Sequence, residues 1–112
     1  MGKYLIESMR VKRRGAFGSE DKNGGAKIVD FGESFDEGEA DTLEGARKIA
    51  EKAYSEMNDF DRFYNGFYVI SKIVSRDEYG FPENLVFVEE KDFYIDECER
   101  RFAELEKEGN DD

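Results

Sequence analysis

The sequence predicts an α+β fold, an antiparallel four-stranded sheet with two helices packed on one face. Residues 41–58 carry apolar side chains at helical steps of three and four. Four other segments are rich in the β-branched and aromatic residues typical of strands. The elements follow the order ββαββα. Because no helix separates the strands of either pair, we expect each pair to be antiparallel.

The first helix is predicted from an apolar stripe on one side and opposite charges on the other. The stripe consists of Leu43, Ala46, Ile49, Ala50, Ala53, Tyr54 and Met57. Asp41 and Glu44 have the spacing of a capping box, which predicts that the helix begins at Asp41. Three pairs of opposite charges are four residues apart on the polar side: Glu44/Lys48, Arg47/Glu51 and Lys52/Glu56. We expect this helix to pack closely on the sheet.

The strands are predicted over residues 3–12, 26–35, 66–75 and 85–90. In the second strand Val29, Phe31 and Phe35 are expected to share one face, with a bulge at Gly32. The third strand is apolar on both faces, which favours a central position. Residues 13–25 are predicted to be a Gly-rich loop that contains the turn dipeptide Asn23-Gly24. Residues 36–41, DEGEAD, are predicted to be an acidic loop that leads into the first helix.

The aromatic residues Phe60, Phe63 and Tyr64 are expected to tuck under the end of the first helix. The second helix is predicted over residues 93–108, with Cys98 on its apolar stripe as a buried small hydrophobic residue. We expect one domain over residues 1–108 and a frayed acidic tail over residues 109–112.

The residue types that are absent or rare in the sequence limit its possible functions. The 112 residues include no His and only one Cys. His-based triads and His zinc ligands are therefore excluded, and so is an internal disulfide, which suits a reducing cytoplasm. We expect a non-enzymatic protein with no cofactor.

Charge is the strongest functional signal. The net charge is −11, with +4 in residues 1–27 and −15 in residues 28–112. A body this acidic attracts basic surfaces and repels nucleic acid and other acidic bodies, so the partner is expected to be a basic protein surface and the chain a monomer. Any dimer would use the segment Arg10–Arg14. The predicted partner contacts are Glu33, Asp36, Glu37, Glu39 and Asp41, with Tyr79 and Phe81 as aromatic anchors.

In size, acidity, richness in Tyr and Phe, lack of His and compact α+β order, the chain resembles phage-encoded inhibitors of host defence. It is most similar to the small anti-CRISPR proteins, several of which imitate DNA and block the DNA-binding groove of an effector. The resemblance implies a cytoplasmic inhibitor. These inhibitors share no motif, so it assigns no role to any single residue.

Two alternatives stay open. A small enzyme or ligand-binding module would use carboxylates with or without a metal, although DEGEAD lacks the ligand order of an EF-hand. An accessory subunit would bind through an exposed apolar patch.

Direct binding of nucleic acid is not expected. Lys12, Arg13 and Arg14 beside Phe17 have the residue types of a small nucleic-acid patch, but one short basic segment on so acidic a body is poorly suited to that role. These basic residues could instead pair with acidic residues of the same chain or orient a docked partner.

Overall fold

The computed structural model describes residues 2–18 and 25–109, with side chains through residue 105. The predicted Asn23-Gly24 turn and the tail beyond residue 109 lie outside the described residues. The elements are β1 (Tyr4–Arg13), β2 (Ile28–Ala40), α1 (Leu43–Glu56), α2 (Asp59–Asn65), β3 (Phe67–Arg76), β4 (Pro82–Asp92) and α3 (Phe93–Gly109).

The four strands form one antiparallel sheet in the order β2-β1-β3-β4. This confirms the predicted α+β class and the central position of the third strand. The pairing of β1 with β3 joins the two hairpins, with Ile6 opposite Ile70 at the centre of the core. β2 and β4 are therefore the two edges of the sheet.

The prediction of an acidic loop over residues 36–41 is wrong. β2 continues to Ala40, because residues 36–40 pair with the beginning of β1. The bulge expected at Gly32 is confirmed, since the register shifts between Met9 and Val11, opposite this part of β2. The shift also separates Phe31 from Phe35, which were expected to share a face. Phe31 packs edge to face on Phe67, 5.1 Å between ring centroids, whereas Phe35 lies beside Met57 on the helical side.

The helix α1 begins at Leu43 rather than at Asp41. Thr42 is the N-cap, because its hydroxyl accepts a 3.0 Å hydrogen bond from the amide of Gly45. All seven residues of the predicted stripe belong to the core or pack against it. Of the three charge pairs, Glu44/Lys48 forms at 3.8 Å, while Arg47 bonds Glu89 of β4 instead of Glu51.

The helix α2 was not predicted. Asn58 caps it by accepting from the amide of Asp61. The expected packing of its aromatic residues is correct for Phe63, which is buried, and for the half-buried Tyr64, but Phe60 is exposed. Phe17, at the end of the first described segment, contacts the rings of Phe60 and Phe63.

Arg13 is buried where the end of β1 meets the helices, with a fully buried side chain. Its guanidinium donates to Asp92 at 2.7 and 2.9 Å and to the carbonyl oxygens of Phe63 and Ala26. The rings of Phe63 and Tyr94 lie 5.7 and 4.8 Å from the guanidinium carbon. Arg13 is thus a structural residue that pairs with an acidic residue of the same chain, which was one interpretation of the basic segment.

The helix α3 begins directly after β4. The carboxylate of Asp92 accepts from the amides of Tyr94 and Ile95, so the residue that binds Arg13 also caps α3. Cys98 is buried, as expected.

Gly66 lies between α2 and β3, and its substitution tests how tightly the helices pack. A Cβ atom at Gly66 would overlap the carbonyl oxygen of Arg62 and would lie 3.0 Å from the ring of Tyr54. We therefore expect Gly66→Ala to lower the free energy of unfolding by about 1–3 kcal/mol, the usual cost of overpacking. Chemical denaturation measures this.

Gly32→Ala is the matched control, since its Cβ would approach nothing closer than 3.4 Å. Equal effects of the two substitutions would contradict the close packing at Gly66.

Candidate functional site

The candidate site is the acidic edge, which we define as Glu33, Asp36, Glu37, Glu39 and Asp41. Four of these residues lie on the edge strand β2, and Asp41 follows its last residue. Glu33, Asp36 and Asp41 are exposed, while Glu37 and Glu39 are half-buried. The structure therefore brings the five predicted acidic residues together along one edge of the sheet.

Most of the acidic edge carries uncompensated charge. Glu37 accepts a hydrogen bond from the hydroxyl of Ser8, and Asp36 accepts one from the amide of Gly38. Neither of them, nor Glu33 or Asp41, forms an ion pair with any Lys or Arg in the described part of the chain. Three arginines are instead engaged elsewhere, in the pairs Arg13–Asp92, Arg47–Glu89 and Arg62–Glu97.

Glu39 is the exception, and it connects the acidic edge to the aromatic anchors. Arg76 donates to Glu39 at 2.6 Å and to the carbonyl oxygen of Gly80 at 2.8 Å. Gly80 lies between Tyr79 and Phe81 in the turn from β3 to β4. Both aromatic side chains are exposed, by 78% and 67%. We call Tyr79 and Phe81 the aromatic tip, and Arg76 places the backbone of this turn next to Glu39 at the end of the acidic edge.

The ion pair with Arg76 changes the pKa of Glu39. Hydrogen bonds from Arg76 lower the pKa of Glu39 below its ordinary value of 4.5, against the opposing effect of partial burial. Glu39 therefore stays ionised to a lower pH than an isolated glutamate, and Arg76 connects it to the backbone of the turn at Gly80.

Two further acidic residues belong to this surface and were missed. Asp30 is exposed on β2 and follows the same edge. Glu7 of β1 is directly opposite Asp36 in the strand register. Like charges directly opposite each other destabilise a sheet, and Glu7 makes no ion pair with a described residue. The only signal in the sequence was that Glu7 interrupts the apolar face of its strand.

A groove between α1 and β4 is the feature closest to a catalytic pocket. It has a volume of about 190 Å³, and its lining includes Tyr68, Glu51, Glu89 and Glu90. Hydrogen bonds from Arg47 lower the pKa of Glu89, which is the opposite of the raised pKa that a carboxylic general acid needs. The hydroxyl of Tyr68 is directed at the sulfur of Met57, 3.9 Å away, and burial raises its pKa. The groove can hold a side chain, and the lowered pKa of Glu89 does not suit that residue to act as a general acid.

Within residues 2–18 and 25–105, no group of three or more acidic or Cys side chains is placed to hold a metal ion. Among the helices of the described chain, none is long and apolar enough to cross a membrane.

Comparison of the chain with protein-family models, with curated proteins and with solved structures finds no match.

The pair Glu39–Arg76 predicts how stability depends on pH. Because the pKa of Glu39 is lowered in the folded protein, its contribution is complete above pH 4.5 and is lost as the pH falls through the folded-state pKa. We expect Glu39→Gln to reduce the free energy of unfolding by about 1–2 kcal/mol at pH 7, the size of a charge-assisted hydrogen bond. At pH 2–3 the variant and the wild type should converge, as urea denaturation at both pH values would show.

Glu33→Gln is the control, since Glu33 is exposed and has no ion pair in the described structure. If the loss caused by Glu39→Gln were the same at pH 7 and pH 2, the ion pair would not be its cause.

Proposed function

We propose that the protein is a non-enzymatic inhibitor that docks its acidic edge into a basic, nucleic-acid-binding groove of a partner protein. In its specific form the proposal is that the protein acts as a DNA mimic against a CRISPR effector or another defence effector. The observation that carries the proposal is the row of carboxylates on β2 that have no ion-pair partner in the described chain.

The extent of this row supports mimicry. Carboxylates that are unpaired within the described chain follow β2 from Asp30 through Glu33 and Asp36 to Glu37, and Glu39, which is paired with Arg76, lies at the end of the strand. The neighbouring Glu7 of β1 adds charge beside this row. A groove that binds the phosphate row of DNA is lined by Lys and Arg, and such a groove is electrostatically complementary to this edge.

Two like charges that lie opposite each other in the sheet lower its stability, and this cost also supports a role for the charge in binding. A solubilising charge can be placed anywhere on a surface, whereas Glu7 and Asp36 are placed opposite each other, where they repel. A repulsive pair of this kind is typical of a binding surface, where function opposes stability.

The aromatic tip would anchor the interface, which charge alone does not do. Exposed Tyr and Phe side chains are the residues that anchor protein interfaces, while charge mainly sets the association rate. We propose that Tyr79 and Phe81 enter an apolar recess at the end of the basic groove, held in place by the contact of Arg76 with Gly80.

The experiment compares two double variants that remove the same charge. Glu33→Gln/Asp36→Asn changes the acidic edge, and Glu99→Gln/Glu104→Gln changes exposed acidic residues of α3. The tagged proteins are used to capture partners from a host lysate at 50 mM and 500 mM salt. Duplex DNA of about 20 base pairs is then added as competitor.

We expect the wild type and the α3 variant to capture the same basic protein, which high salt or the DNA duplex releases. The Glu33→Gln/Asp36→Asn variant should capture at least about tenfold less of this protein, since both substituted residues lie in the same proposed interface. Capture that is insensitive to salt and DNA, or that is reduced equally in both variants, would contradict the proposal.

A further inference from the structure

The second edge of the sheet has a different character from the acidic edge. β4 pairs with β3 on one side only, and within the described chain no strand pairs with its other side. Every residue from Glu83 to Phe87 is exposed. Three consecutive apolar residues lie there, namely Leu85, Val86 and Phe87.

The centre of this edge lacks the usual protection. Sheet edges are commonly blocked by charges, by bulges or by a covering helix. β2 and β4 each have three shifts of register, and β4 carries charged residues at both ends. Between two of its shifts, however, the stretch from Leu85 to Phe87 pairs with β3 in unbroken register and carries no charge. Its backbone is therefore an open template for one more antiparallel or parallel strand.

The groove between α1 and β4 lies beside the same strand and indicates what the added strand contains. Its floor includes Ala50, Tyr68 and Ile70, and its charged lining consists of Glu51, Glu89, Glu90, Arg47 and Lys91. Arg47 is paired with Glu89, and Lys91 is paired with Asp96. Glu51 and Glu90 are both exposed, and neither forms an ion pair with a described residue. An apolar floor beside two unpaired carboxylates fits a Lys or Arg side chain, whose aliphatic stem packs while its charged head reaches the carboxylates.

We infer that β4 is a strand-addition site for an extended segment of a partner protein, apolar at its centre and flanked by Lys or Arg. The apolar centre would pair along Leu85–Phe87. One basic flank would lie near Glu83 and the other near Glu89 and Glu90, with one side chain in the groove.

Charge argues against a second copy of the chain as the occupant. If two copies paired antiparallel along β4 with Val86 at the centre, Glu83 of each copy would lie opposite Glu89 of the other copy. The net charge of −11 adds repulsion between the two bodies. A basic segment meets neither obstacle.

This inference goes beyond the inhibitor proposal, because it concerns the opposite edge of the sheet. Either surface can be correct without the other, and separate variants test them.

The probe is a fluorescein-labelled peptide of the sequence Lys-Arg-Val-Thr-Val-Ile-Val-Arg-Lys, and its binding is measured by fluorescence anisotropy. The control peptide has the same charge, but its first and last valines are replaced by proline, which cannot pair as a strand. We expect the wild-type protein to bind the first peptide at least about tenfold more tightly than the second.

The matched protein variants are Val86→Lys and Val29→Lys. The two valines are similarly exposed, by 54% and 58%, but lie on opposite edges of the sheet. Both variants change the net charge equally, so long-range attraction falls equally in both. We expect Val86→Lys to weaken peptide binding about tenfold and Val29→Lys to change it by about twofold or less. Circular dichroism verifies that both variants are folded.

Hydrogen exchange then locates the peptide. Strand addition predicts that bound peptide protects backbone amides within residues 83–88. Protection within residues 28–40 instead, equal loss of binding in the two variants, or equal binding of the two peptides would overturn the inference. A dimer of the free protein that Val86→Lys dissociates would also overturn it, since a second copy would then be the occupant.

Discussion

The buried guanidinium of Arg13 is the interaction on which the arrangement of the elements depends. A buried charge is tolerated only where it is paired and its hydrogen bonds are satisfied, and here Asp92, two backbone carbonyls and two aromatic rings supply the partners. These partners belong to β4, α2, α3 and the segment before β2, so one side chain of β1 fixes where all of them meet. Loss of one partner of such a pair typically costs about 3–5 kcal/mol. The same carboxylate caps α3, which couples the helix to the ion pair.

Three further arginines also connect elements through ion pairs, and these pairs explain where the negative charge remains unpaired. Arg47 connects α1 to Glu89, Arg62 connects α2 to Glu97, and Arg76 connects the hairpin of β3 and β4 to Glu39. Each neutralises an acidic residue at a junction between elements. The strongly acidic balance of the chain therefore falls on surfaces outside these junctions, and β2 carries a continuous part of it. The sheet thus has an acidic edge at β2 and, at β4, an edge with an apolar centre and charged ends.

The sequence was sufficient for the fold class, the core stripe of α1 and the location of the acidic residues, because periodicity and composition are local properties. It misplaced the end of β2, since DEGEAD has low strand propensity and only pairing with β1 makes it a strand. Pairing of the basic segment with acids of the same chain could be anticipated, but Asp92 as the partner of Arg13 was not predictable, because Asp92 is distant along the chain and nothing local marks the two as partners. The exposure of Val86 and Phe87 was missed for a similar reason. The apolar pattern predicted a strand, but only the order of strands shows that it lies on an edge.

The central claim is that the acidic edge carries charge for binding at a cost in stability, and Glu7→Gln tests it most directly. The substitution removes the repulsion of Glu7 with Asp36 while it keeps the size of the side chain. Denaturation at low salt is predicted to show a gain of about 0.5 kcal/mol in the free energy of unfolding. The gain should shrink in 1 M salt, where screening acts over about 3 Å. The same variant should bind the captured basic partner more weakly than the wild type. A variant that is less stable than the wild type, or that binds the partner equally well, would contradict the claim.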